Sequence, residues 1–163
     1  MDGESGRRDE AVPDPRRSSL AAGVIGVGTM AAVDEVVFHQ ILAWHHFYDR
    51  STADAALLSD GILHAGELLA LAAGFFWYAD LRRRGVLDRT AAWGGFALGA
   101  GIFQLFDGLV NHKALRLHQV RYGVDTWPYD LVWNLAGAAL ALAGALLIWR
   151  ARASRGRLRE ARR

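Results

Sequence analysis

The sequence predicts an all-α fold: an integral membrane four-helix bundle made of two parallel two-helix repeats. Three observations predict it. Four long apolar stretches are separated by short polar segments. The basic residues sort into alternate connections. A pattern of Gly, Asp and His recurs 73 residues downstream of itself.

The apolar stretches place helices at about 20–44, 55–79, 91–117 and 129–149. Only the last, from Leu131 to Trp149, is free of charge throughout, as a spanning helix of ~20 apolar residues requires. The others carry Asp34, Glu35, Asp60, Glu67 and Asp107. Ionisable groups inside a span are costly and mark functional interiors. With 52% apolar and 22% charged residues among 163, the chain is too hydrophobic to be disordered as a whole. Residues 1–19, with Pro13, Pro15 and mixed charge, are expected to be a disordered cytoplasmic tail, and 151–163 a basic cytoplasmic tail. The absence of Cys excludes a disulfide framework, a thiolate metal site and a thiol nucleophile in this chain.

Charge sets the orientation. Arg7, Arg8, Arg16 and Arg17 precede the first stretch, Arg82, Arg83, Arg84 and Arg89 separate the second from the third, and seven Arg lie between Arg150 and Arg163. The two other connections hold only Arg50, Lys113, Arg116 and Arg121. By the positive-inside rule both termini are cytoplasmic. A cleaved leader over Arg16–Ala31 is the competing reading of the first stretch, and the recurrence of that stretch argues against it. The Arg-rich C-terminal tail is expected to meet anionic lipid, not nucleic acid.

The recurrence aligns Gly26-Val27-Gly28 with Gly99-Ala100-Gly101, Asp34 with Asp107, His39 with His112 and His45 with His118. With a slightly shorter offset Asp60 falls on Asp130 and His64 on Asn134. Each half holds two spans, so the halves share one orientation, related by an axis along the membrane normal. The Gly pairs read as close helix-packing points, since no strand precedes them to make a phosphate loop.

At about 100° per residue, Asp34, Glu35, His39, His45 and His46 share one arc of roughly 140°. Asp107, His112 and His118 repeat the arc, while Asp60, His64 and Glu67 line one face of the second helix. Topology then stacks polar layers in the outer half of the bundle, with His45 and His118 outermost and more exposed, and Asp34, Asp107 and Glu67 deepest.

Imidazole with carboxylate suits Zn, Fe, Mn or Cu(II). The candidate metal ligands are His39, His64 and His112, with Asp34, Asp60 and Asp107 as ligands or orienting partners and His45 and His118 as an outer set. Asp60 and His64, at i and i+4, can reach one ion from one face. Asp34/His39 and Asp107/His112, at i and i+5, are poorer chelators and suit orientation of the His ring. Glu67 is a candidate general base beside a metal-bound water. Three other readings compete: haem ligated by His39 and His112, a proton pathway, and a scaffold whose polar groups only specify packing. Oligomeric state is not readable.

The motifs also resemble those of DUF2243, a family of bacterial membrane proteins of unknown function. They are Asp34-Glu35-Val36-Val37-Phe38-His39-Gln40-Ile41-Leu42-Ala43-Trp44-His45-His46, Asp60-Gly61-Ile62-Leu63-His64, the run from Asp107 to Val120, and Tyr129-Asp130. The resemblance covers about residues 20–150. Two positions depart from it: Gln119 stands where the family has a second His, and Glu35 where it has Gly. It implies a four-span protein of the bacterial inner membrane and a polar site, but no activity.

Overall fold

The structure, a computed structural model, describes residues 12–160. The expected disorder of residues 1–11 therefore lies outside the described residues. The elements, in order, are α1 (Pro15–Val33), a π-helix π1 (Asp34–Ile41), α2 (Ala53–Arg83), α3 (Arg89–Phe106), a second π-helix π2 (Asp107–Ala114) and α4 (Trp127–Glu160). With their π extensions they hold four candidate membrane spans, Pro15–Ile41, Ala53–Arg83, Arg89–Ala114 and Trp127–Arg157, of 27, 31, 26 and 31 residues, long and apolar enough to cross a membrane.

Local chemistry sets the starts. Asp14 caps α1 by accepting from the Arg17 N–H at 3.0 Å, with Pro15 in the first turn. Thr52 caps α2 and Asp88 caps α3 in the same way, through the N–H groups of Ala55 and Ala91. Gly85, with φ +71°, turns the chain between α2 and α3. Two boundaries differ from expectation. Residues 15–19 belong to α1, because the Asp14 cap and Pro15 nucleate the helix ahead of the apolar stretch. The basic segment after Arg150 continues α4, held in part by Arg155 at 3.6 Å from Asp88.

α1 and α3 form the central pair, α2 packs on α1, and α4 packs on α3. Among the described residues α2 touches neither α3 nor α4. Glycine permits the close crossings. A methyl group at Gly26 would collide with the Phe96 carbonyl, and one at Gly99 with the Gly23 carbonyl. These contacts are related by the 73-residue offset; the approach of Gly74 to Ile25 matches that of Gly144 to Leu98, with the glycines at the shorter offset of the second helices. Small residues let backbones approach where no hydrophobic effect drives helices together.

Burial is inverted relative to a water-soluble protein. Of the seven largest fully buried side chains among the described residues, only Leu81 is apolar; the others are His118, Glu35, Asp34, Asp60, Asp107 and Ser18. Meanwhile Leu69, Phe76, Leu142 and Trp149 stand exposed on the outer helices. An apolar exterior around a polar interior is the pattern of a lipid-embedded bundle. Trp93, Trp127 and Trp149 are exposed near helix ends, where interfacial anchors belong. Trp44 does not share that role: it is covered by Phe38, Tyr129 and the Arg121 guanidinium, 4.7 Å from its ring.

Candidate metal centre

The polar site begins where the helices change pitch. α1 and α3 are regular until Val33 and Phe106; from Asp34 and Asp107 the hydrogen bonds widen by one residue. The widening ends alike in both halves. Leu42 N–H donates to Val37 at 2.9 Å, and Leu115 N–H to Val110 at 2.7 Å. Ala43 and Arg116 then adopt the left-handed conformation, with φ of 47° and 52°. Single-turn π segments in membrane and soluble helices alike concentrate at functional sites. Here the wider turn brings residues five apart onto one face. His39 Nε2 lies 3.6 Å from Asp34 Oδ2, and His112 Nε2 lies 3.0 Å from Asp107 Oδ2.

Four imidazoles meet between the halves. His45 and His118 stack in parallel, with centroids 4.5 Å apart and planes 5° apart. His39 packs edge-on against His45 at 4.6 Å, and His112 against His118 at 4.7 Å. The stack thus separates His39 from His112. The ring nitrogens are sorted. His45 Nδ1 donates to the Val120 carbonyl at 2.9 Å, and His118 Nδ1 to the Phe47 carbonyl at 2.8 Å. A carbonyl can only accept, so a neutral ring in either place carries its proton on Nδ1 and presents a bare Nε2. Burial, reinforced by the neighbouring imidazoles, pushes the His45 pKa down to about 2, which keeps that ring neutral.

Carboxylates flank the other two rings, with a hydrogen bond at His39 Nδ1 and none at His112 Nδ1. His39 Nδ1 is 2.7 Å from Glu35 Oε2 and 3.2 Å from Asp60 Oδ1; His112 Nδ1 is 3.4 Å from Asp130 Oδ1. None of the four Nε2 atoms makes a well-aligned hydrogen bond within the protein, nor do Asp34 Oδ2 and Asp107 Oδ2; the 3.0 Å approach of His112 Nε2 to Asp107 Oδ2 is a misaligned contact. Three groups have ligand atoms that all lie within 4.8 Å of one another: His45/His112/His118, Asp34/His39/His45 and Glu35/His39/Asp60. Every member is buried. Such a set can receive a borderline cation on nitrogen and oxygen.

The family described as "Predicted membrane protein (DUF2243)" matches over residues 21–151, from α1 into α4. The chain belongs to the DUF2243 family. None of the curated proteins and none of the solved structures matches it.

Several placements in this DUF2243 chain differ from the sequence expectation. His64 is not with the other candidates. Its side chain is 51% exposed and pairs with Glu67, Nδ1 to Oε1 at 2.6 Å. Asp60 and His64 therefore do not share a target: Asp60 accepts from Phe47 N–H at 2.7 Å and contacts His46 Nδ1 at 2.6 Å. The reason is rotational: α2 presents Asp60 to π1 and its loop, and turns His64 outward. Glu67 is buried and paired with His64 through Oε1, while its other oxygen, Oε2, is buried without a hydrogen-bond partner. His45 and His118 are not an exposed outer set, being 4% and 1% exposed. The loop of each half folds over the other through the Val120 and Phe47 carbonyls and covers them. The i, i+5 pairs are closer than α-helical arithmetic allows, because the helix there is π.

Glu35 and His46 lie in the arc but were not among the candidate ligands; Glu35 is the nearest group to His39 Nδ1. The Val120 and Phe47 carbonyls belong to the backbone, and no side-chain pattern announces them.

Proposed function

We propose that this protein binds a transition metal ion, of the class Zn, Fe, Mn or Cu(II), between the halves of the bundle, and serves metal handling or a metal-dependent reaction. The observation that carries this reading is the convergence of four buried Nε2 atoms and two Asp oxygens that face one another without a well-aligned hydrogen bond. A packing scaffold would satisfy its buried polar atoms internally, because each one left unpaired costs ~1–3 kcal/mol. The outward Nδ1 contacts are of the kind that orient metal-bound histidines. Six buried carboxylates, Asp34, Glu35, Asp60, Glu67, Asp107 and Asp130, also need a counter-charge. Among the described residues the nearest Lys or Arg ion pair is Lys113 with Asp130. A divalent cation supplies that charge.

The rings held by Asp34, Asp107 and Glu35, with Asp60 and Asp130 behind, would be the ligand set. His64 is outside it. Haem is the weaker reading, since the His45/His118 stack fills the space between His39 and His112. The matching contacts at the 73-residue offset support two copies of one two-helix unit. Charge sorting supports a bacterial inner-membrane protein with both termini cytoplasmic and the site toward the outer face. The Arg side chains of the α4 extension suit anionic headgroups there.

The test is the His39→Ala/His112→Ala variant. It should lose bound metal while remaining a monodisperse, helical protein in detergent. Metal content equal to that of the wild type would reject the site.

A further inference from the structure

The halves are alike in their histidines and unlike in their charge. Lys113 and Arg116 stand where the first half has Gln40 and Ala43; Gly108 and Gln119 stand where it has Glu35 and His46. The first half therefore surrounds the histidines with carboxylate, and the second half places cations near them.

A cavity of about 620 Å³ opens on the second half. His112 and His118 line it, together with Arg50, Lys113, Arg116 and Asp130. Lys113 is paired with Asp130. The other Lys and Arg ion pairs of the described residues are Arg83 and Arg84 with Asp80, and Arg155 with Asp88. Arg50 and Arg116 enter none of them. Arg50 is instead anchored by donating to the Arg116 carbonyl at 2.9 Å, which fixes its guanidinium at the cavity. The corresponding face of the first half is closed differently, with His46 and the Phe47 N–H both on Asp60.

The lining carries Arg50, Lys113 and Arg116 against the two carboxylates Asp49 and Asp130, so a cation entering through this cavity would meet a net positive wall. An anion would be drawn in and delivered to the His112 and His118 side of the cluster. Metal sites that do chemistry keep an open position for an exogenous ligand.

We infer that the cavity admits a small soluble anion, of the carboxylate or oxyanion class, that takes the open position on the metal. This rests on the metal reading above and adds to it an entrance and a ligand class. Arg50 and Arg116 would draw the anion to the His112 and His118 side, and its coordination to a bound metal would involve no electron transfer.

The test uses the full chain in lipid-free detergent, loaded with Co(II) and titrated separately with acetate and nitrate while the visible absorption is recorded. A saturable spectral change is expected with each. Arg50→Gln/Arg116→Asn should take up Co(II) as the wild type does, and need about tenfold more anion for half-saturation. Asn suits the left-handed conformation at 116. Should the double variant fail to take up Co(II), Arg50→Gln alone carries the test with a weakening of about threefold. A Co(II) spectrum unmoved by either anion, or equal anion affinity in wild type and variant, overturns the inference and leaves the metal site standing. Failure of the wild type to take up Co(II) overturns both.

Discussion

His45 and His118 lie face to face at 4.5 Å, and each donates its Nδ1 N–H to a carbonyl of the opposite half, Val120 and Phe47. One pair of residues thereby joins the two halves and aims two bare Nε2 atoms into the cluster. The two tasks separate by magnitude. A side-chain hydrogen bond inside a membrane protein averages ~0.6 kcal/mol, so His45→Ala should lower the thermal midpoint only modestly. Loss of a metal ligand should be far larger. We expect His45→Ala to bind the metal at least about 100-fold more weakly, read by competition with a chelating dye.

Asp34 and Glu35 are neighbours with different expected roles. Asp34 faces His39 Nε2 across 3.6 Å, on the metal side; Glu35 grips Nδ1 at 2.7 Å, on the far side. Asp34→Asn should abolish tight binding. Glu35→Gln should weaken it ~10–100-fold, the usual cost of losing an orienting partner. The same dye competition ranks the two variants, and equal losses would contradict the division of roles.

His64 tests the proposed ligand set. Its side chain is half exposed and paired with Glu67, away from the four-ring cluster. His64→Ala should keep full metal stoichiometry by elemental analysis. A stoichiometric loss would return His64 to the ligand set.

The glycine crossings predict a stability contrast. Gly26→Leu places a side chain against the Phe96 carbonyl and should destabilise the bundle by at least ~1–3 kcal/mol, seen as a lower thermal midpoint. Gly66 has nothing within 4 Å of a built Cβ, so Gly66→Ala should leave the midpoint unchanged or slightly raised.

Much of this was legible before any coordinates. The apolar stretches and sorted arginines describe four spans because a bilayer constrains length and charge so strongly. The 73-residue recurrence also marked Asp34, His39, His45, Asp107, His112 and His118, which the structure brings together. What could not be read was helix pitch. Arithmetic at 100° per residue separates Asp34 from His39, and only the switch to π geometry at Asp34 reunites them. Nor could it be read that the loops fold across each other to bury His45 and His118, because the acceptors are backbone carbonyls. His64 misled because i, i+4 spacing from Asp60 guarantees a shared face only in part, and α2 turns that face between π1 and the outside.

Metal removal should expose the counter-charge argument. If the carboxylates and rings are held by a cation, chelation should lower the thermal midpoint, and restoring the metal should recover it in a concentration-dependent way.

The most direct measurement is elemental analysis together with the absorption spectrum of the full chain purified in detergent from its native membrane. The account predicts at least about one equivalent of Fe, Zn, Mn or Cu per chain with no Soret band, in keeping with ligation by imidazole and carboxylate. A Soret band with stoichiometric iron, or a folded protein that holds no metal even after reconstitution, would contradict it.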